Sequence, residues 1–171
     1  EQLGLPDRDC VVWTMSVHPT RPNKIYSGAE SIALYCSEDG DDNWPRIPQE
    51  VSPDHCEREG FDSRTIRITF DPSWPDDIYV GLEVSDIVCS TDDGKILNDM
   101  SASLFELAEQ PNLQNSIGGR HCGHYECMLD SHALAISSAA PGSALFALRM
   151  ALFRSGNGGA WYDTNIDKFC H

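Results

Sequence analysis

The chain has 171 residues and a formal charge of −15, from 27 acidic residues against 12 lysines and arginines. A surface of that sign repels phosphate backbones and anionic lipid, which argues against nucleic-acid binding and against adhesion to a membrane surface. No stretch approaches the ~18 consecutive apolar residues that a membrane-spanning helix needs. The acids are spread over many turns and form no tail, the pattern of a solvated acidic face. The 7 cysteines are an odd number, so at least one thiol is unpaired or intermolecular, and connectivity does not follow from spacing. The chain begins at Glu1 without methionine, as a processed product or a piece of a longer protein would. Cytoplasmic and secreted settings both fit this composition.

Residues 11–50 open with apolar and polar residues alternating from Thr14 to Val17, the signature of a half-buried strand. The segment from His18 to Pro22 holds two prolines, which lack the N–H a ladder needs, and reads as a turn. Ile25-Tyr26-Ser-Gly28 resumes a strand, Ile32 to Tyr35 supplies a third, and Pro45-Arg46-Ile47-Pro48 reads as a fourth. Residues 51–63 are a polar loop.

Residues 64–100 then repeat the first stretch without a gap. Pro19 and Pro72, Pro22 and Pro75, Gly28 and Gly81, and Ser37 and Ser90 all lie 53 positions apart, as do Ile25-Tyr26 and Ile78-Tyr79. Repetition at a fixed period points to stacked supersecondary units. Residues 101–131 form a longer insertion. Ser103-Leu-Phe-Glu106 reads as a capping box opening a short helix to about Gln110. A worn third copy occupies residues 132–166, with shorter turns between Pro141 and Ser155.

Each copy carries a second signature after its third strand. The chain reads Ser37-Glu-Asp39-Gly-Asp41-Asp-Asn-Trp44, Ser90-Thr-Asp92-Asp-Gly94-Lys-Ile-Leu97, and Ser155-Gly-Asn157-Gly-Gly159-Ala-Trp-Tyr162. These segments resemble the Asp-box of BNR-repeat proteins, S-x-D-x-G-x-x-aromatic, which joins the last two strands of a β-propeller blade. No copy is perfect: Asp41, Leu97 and Asn157 depart from it. The resemblance implies an all-β fold of three four-stranded antiparallel blades, either a partial propeller or half of an oligomeric ring. It also implies structural roles for Ser37, Asp39, Trp44, Ser90, Asp92, Gly94, Ser155, Asn157, Gly159 and Tyr162. Closed propellers use about four to eight blades, so three blades call for self-association or for the missing blades of a longer chain.

Several constellations invite chemistry. His121, Cys122, His124 and Cys127 are the ligand types zinc takes, though the spacing matches no recognised zinc pattern. A Cys122–Cys127 disulfide and an ordinary polar loop are the alternatives. Asp130 and His132 share a strand face and could form an acid/base pair or a structural hydrogen bond. Many Asp-box proteins resemble sialidases, which need an arginine cluster for the substrate carboxylate. They also carry an F/Y-R-I-P motif ahead of the first Asp-box; here the arginines are scattered, and Pro45-Arg46-Ile47-Pro48 follows a box and has proline where that motif has its aromatic. Cys36 and Cys89, at one repeat position, read as packing residues; so do Trp13, Trp44 and Trp161, with Trp74 exposed. The resulting expectation is a non-catalytic binding or scaffold module for a protein or carbohydrate ligand, without a cofactor. A glycoside-hydrolase-like enzyme and a zinc module at 121–132 are the rivals.

Overall fold

A computed structural model describes residues 10–40, 43–48, 63–83, 87–108, 110–111, 131–149, 151–156 and 160–163. The first sheet is built from β1 (Val12–His18), β2 (Arg21–Ala29) and β3 (Ala33–Ser37). The second holds β4 (Thr65–Phe70), β5 (Ile78–Leu82), β6 (Ile87–Ser90) and β7 (Asn98–Asp99); a short helix α1 (Ala102–Ala108) follows it. The third holds β8 (Ser131–Ile136), β9 (Ala144–Leu148), β10 (Leu152–Ser155) and β11 (Trp161–Asp163). Within each sheet the strands pair antiparallel in chain order.

Two expectations change. The first sheet has three strands, and its fourth position is reduced to a bridge between Tyr35 and Arg46. Pro45 and Pro48 flank Arg46-Ile47 and withhold the N–H groups that a longer ladder would use. The helix starts at Ala102, behind Ser101, whose carbonyl accepts from the N–H groups of Leu104 and Phe105. Ser103 therefore lies inside the helix, and its hydroxyl accepts from the Trp161 N–H at 3.0 Å.

The three sheets share one irregularity. The register shifts between Val12 and Thr14, between Thr65 and Arg67, and between Ser131 and Ala133, each time in the first strand. That bulge aligns the copies: Met15, Ile68 and Leu134 occupy one position, and Tyr26, Tyr79 and Leu145 another. The first strands lie side by side, β1 beside β4 and β4 beside β8.

Packing follows from the alternation along β5, all five residues of which are buried. Ile78, Val80 and Leu82, together with Ile68 of β4, face the first sheet and cluster with its Tyr26 and Leu34. Tyr79 faces the third, where Leu134, Phe146, Phe153 and Trp161 gather under Leu104 of α1. The middle sheet is thus buried on both faces, and each seam needs both of its sheets.

Gly28 shows how close the first seam is. A Cβ there would strike the Thr65 side chain of the second sheet and come within 2.7 Å of Thr14 Cγ2. Gly28→Val is expected to destabilise the fold by about 2 kcal/mol through overpacking, read as a lower midpoint in chemical denaturation. Gly156→Ala, where a Cβ meets nothing within 4 Å, should stay within about 0.5 kcal/mol of the parent.

Candidate functional site

The turns after β3 and β6 are closed by their own side chains. The Ser37 hydroxyl donates to Asp39 Oδ1 at 2.7 Å and accepts from the Gly40 N–H at 3.0 Å. The Ser90 hydroxyl donates to Asp92 Oδ1 at 2.7 Å and accepts from the Gly94 N–H at 2.9 Å. Asp92 Oδ1 also accepts from the Ile96 N–H at 2.9 Å. That backbone bond and the Ser90 hydroxyl hold the Asp92 carboxyl below its usual range. Ser155 is buried at the equivalent place, the last residue of β10, while Asn157 and Gly159 lie outside the described residues.

The second turn does more than close itself. Gly40 has φ +76°, and the equivalent place in the second turn is held by Asp93 with φ +65°. Aspartate tolerates this left-handed conformation better than most residues. It sends the Asp93 carboxylate into the first sheet, where Arg21 grips it with Nη1 to Oδ2 at 2.9 Å and Nη2 to Oδ1 at 2.7 Å. Lys24 Nζ reaches Oδ2 at 2.6 Å and also pairs with Glu38. The Tyr26 hydroxyl is 2.7 Å from Oδ1 and 2.9 Å from the Asp93 carbonyl.

Local folding explains how these groups converge. Between β1 and β2 the pairing steps from Val17↔Ile25 to His18↔Arg21, so residues 22–24 bulge out and Lys24 turns inward. His18, fully buried, packs edge-on against Phe70 with ring centroids 5.3 Å apart. Gly94, with φ +82°, brings the turn against the Tyr26 ring, 3.2 Å from where a Cβ would stand.

Electrostatics follow the geometry. Burial pushes the Asp93 carboxyl up, but hydrogen bonds from Lys24, Arg21 and Tyr26 outweigh it and hold the group below 3.8. Burial lowers the Lys24 ammonium, and Asp93 and Glu38 more than reverse this. Burial, then Asp93, pushes the Tyr26 phenol well up. Burial likewise raises the Cys36 and Cys89 thiols, which removes thiolate character from both.

His18, Asp76 and Asp93 place one ligand atom each within 4.8 Å of one another, a spacing a metal ion could use. Arg21 Nη2 stands among them, 2.6 Å from His18 Nε2, 2.6 Å from Asp76 Oδ1 and 2.7 Å from Asp93 Oδ1. A guanidinium thus holds the place a cation would take, so these residues do not fit a metal. Beside the network opens a cleft of about 350 Å³, lined by Lys24, Glu38, Arg46, Ile47, Asp93 and Lys95 among others.

A second polar group lies near the bulges of the first strands. Arg64 Nη1 donates to Glu83 Oε1 at 3.1 Å, and its guanidinium lies 4.1 Å from the Trp13 ring centroid. Buried Thr65 Oγ1 and Ser131 Oγ have no hydrogen-bond partner among the described residues.

The residues singled out in the sequence scatter differently. His121, Cys122, His124, Cys127 and Asp130 lie outside the described residues, and His132 is exposed on β8. Trp44 is buried against Ala29, Ala33 and Tyr35. Tyr162 is 62% exposed, and the ring that packs at the third turn is Trp161, whose indole N–H donates to the Met100 carbonyl at 2.9 Å. Strand alternation turns residue 161 inward and 162 outward, so the seven-residue spacing from serine to ring shortens by one here. Trp13 is half exposed and not packed in a core. The Arg21–Lys24–Asp93 network was missed, since acids in turns look solvated; the signal that could have found it is Asp93 standing where the first turn has Gly40.

No family model and no curated protein matches the sequence. Solved structures match in shape. YCF48 from Cyanidioschyzon merolae gives a TM-score of 0.60 at 16% identity, over 95% of this chain and 39% of that one. YCF48 bound to D1 peptide gives 0.61 at 16%, over 94% and 42%. The GH74 xyloglucanase from Xanthomonas campestris gives 0.61 at 15%, over 92% and 23%.

The fold is a partial β-propeller.

The three sheets are its blades, and the chain spans less than half the length of each of these proteins. At such identities the likeness establishes the fold alone.

Asp93→Asn keeps the shape of the seam between the first two blades and removes its central charge. The variant is expected to lose about 2 kcal/mol, because Lys24 and Arg21 keep only their peripheral partners. Since folding lowers the Asp93 pKa, its stabilisation is present above the ordinary carboxylate value and is lost as pH falls through the folded one. Denaturation midpoints measured from about pH 6 down to about pH 2.5 should fall less steeply in Asp93→Asn than in the parent.

Proposed function

We propose that this chain is a non-catalytic propeller module of the Asp-box type that binds a protein or carbohydrate ligand. One observation carries the reading. Among the described residues, the one group that combines a histidine with carboxylates is tied up by Arg21 and Lys24 between two blades. Its acids are neutralised internally and are poorly placed to act on a substrate. The serine–aspartate hydrogen bonds of the turns after β3 and β6 support the Asp-box assignment.

The cleft over the first seam is the favoured binding surface. Exposed Arg46 and Lys95 stand at its lining in a protein that is otherwise strongly acidic, above an apolar wall of Pro45, Ile47 and Pro48. That arrangement suits an extended ligand carrying a carboxylate, such as an acidic peptide. YCF48, similar in shape, is bound to D1 peptide in one structure.

A second reading, a glycoside-hydrolase-like enzyme, is favoured by the likeness in shape to a xyloglucanase. It needs a pair of carboxylates flanking a sugar-sized cleft. Reducing-end release from xyloglucan and from a sialoside and glycan panel separates the two readings. No release above the blank is expected. Saturable binding of an acidic peptide library by fluorescence anisotropy is expected, weakened about tenfold in Arg46→Ala. Turnover that vanishes when one surface carboxylate is replaced would sink the binding-module reading.

A further inference from the structure

The cleft over the first seam carries a carboxylate of its own against a buried cation. The Lys24 side chain lines the cleft, is 7% exposed, and meets two acids of unlike standing. Asp93, 14% exposed, is also held by Arg21 and Tyr26 and ties the blades together. Glu38 is 68% exposed, and among the described residues Lys24 is the one cation it pairs with. The turn does not need Glu38. The second position of the box is Glu38, Thr91 and Gly156 in the three copies, and in the first two turns the serine makes the closing bonds. Lys24 is equally particular to the first copy, since Asp77 stands 53 positions on. The pair is an addition to the repeat, placed where the cleft opens.

We infer that Lys24 is the group in this cleft that recognises a carboxylate, and that Glu38 fills its place until a glutamate or aspartate side chain of a bound peptide displaces it. The inference rests on the binding reading of the cleft and adds to it the subsite and an internal competitor. An ion pair with one partner in water is weak, so exchanging Glu38 for another carboxylate costs little. Lys24 keeps Asp93 throughout, so the exchange never leaves a buried ammonium alone. Displacement also turns the balance of charge. Lys24, Arg46 and Lys95 face Glu38 and Asp93 along the lining; with Glu38 swung into solvent, the ligand meets three cations against one acid already shared with Arg21. The cleft lies in the seam between the first two blades, so its lining does not depend on where the chain begins or ends.

Fluorescence anisotropy with a labelled peptide of alternating glutamate and valine tests it, with the glutamine-and-valine peptide as control. Glu38→Thr installs the residue that the second box carries at this exposed place, so the variant should fold like the parent, with circular dichroism as the check. It is expected to bind the glutamate peptide about fivefold tighter than the parent does, and the glutamine peptide no better. Glu106→Gln removes one negative charge from the exposed side of α1 and should leave the affinity as it is. Unchanged or weaker binding in Glu38→Thr would overturn the inference and leave the binding reading standing. An equal gain in Glu106→Gln, or for the glutamine peptide, would overturn it too, since either marks a general effect of charge or of space. If neither the parent nor Glu38→Thr binds the glutamate peptide, the inference falls together with the binding of acidic peptides at this cleft.

Discussion

The turn after β6 holds a residue in the left-handed region, and the joining of the first two blades depends on it. Asp93 at φ +65° pays about 1 kcal/mol for a conformation that glycine adopts freely. In return its carboxylate meets Arg21, Lys24 and Tyr26, and its carbonyl meets the Tyr26 hydroxyl again. The equivalent Gly40 in the first turn offers the same backbone and no carboxylate. A turn that closes on its own serine thus becomes a tie between sheets through one substitution. Tyr26 links this polar tie to the apolar cluster beneath it, so the two parts of the seam form one unit.

The second seam uses a different device at a matching place. His18 and Asp71 stand at one repeat position, each just before a turn proline. His18 is drawn into the Arg21 network and against Phe70 of the next blade. Asp71, fully buried, accepts from the N–H groups of Ser73 and Trp74 in its own turn and from the Gly142 N–H of the third blade at 2.7 Å. Burial, with Asp71 and Asp76 adding repulsion, raises the Asp77 carboxyl alongside. The position before the turn proline is therefore a joint between neighbouring blades. Its chemistry differs from seam to seam while its place does not.

Much of this architecture was legible in the sequence. The 53-residue offset carried the two prolines, Gly28 with Gly81 and Ser37 with Ser90 into one register, and those residues are constrained by backbone geometry that homologous copies must share. Legibility failed where a contact reaches across blades. Asp93 lies among acids that look solvated, and nothing local announces that Arg21 lies 72 positions away in sequence and one hydrogen bond away in space. In the third turn the seven-residue spacing points to Tyr162 as the box aromatic, but the pairing of Arg154 with Tyr162 turns that ring outward, and Trp161, already a packing residue by sequence, is the buried one. The capping box at Ser103 puts the start of the short helix two residues late: the residue before the first helical position, Ala102, is Ser101, whose own N–H donates to Asp99 Oδ1 at 2.8 Å.

The character of the first seam bears on what such a network is for. Partly buried ion pairs contribute little net stability, since desolvating Lys24 and Asp93 offsets most of their attraction. A Val or Leu in their place would serve cohesion as well. What the charges add is registry: Arg21, Lys24 and Tyr26 converge on one carboxylate, and a shift of one blade along the other takes that carboxylate from all three at once. The apolar cluster below is less directional, because Ile68, Ile78, Val80 and Leu82 meet Tyr26 and Leu34 through contacts that reward buried area rather than the alignment of one donor with one acceptor. Blades that must stack with a fixed rotation need a directional contact, and in the first seam the turn carboxylate supplies it. The same requirement explains why the cleft that opens beside the network has a defined shape, since its walls come from both blades and Asp93 holds them in one relation.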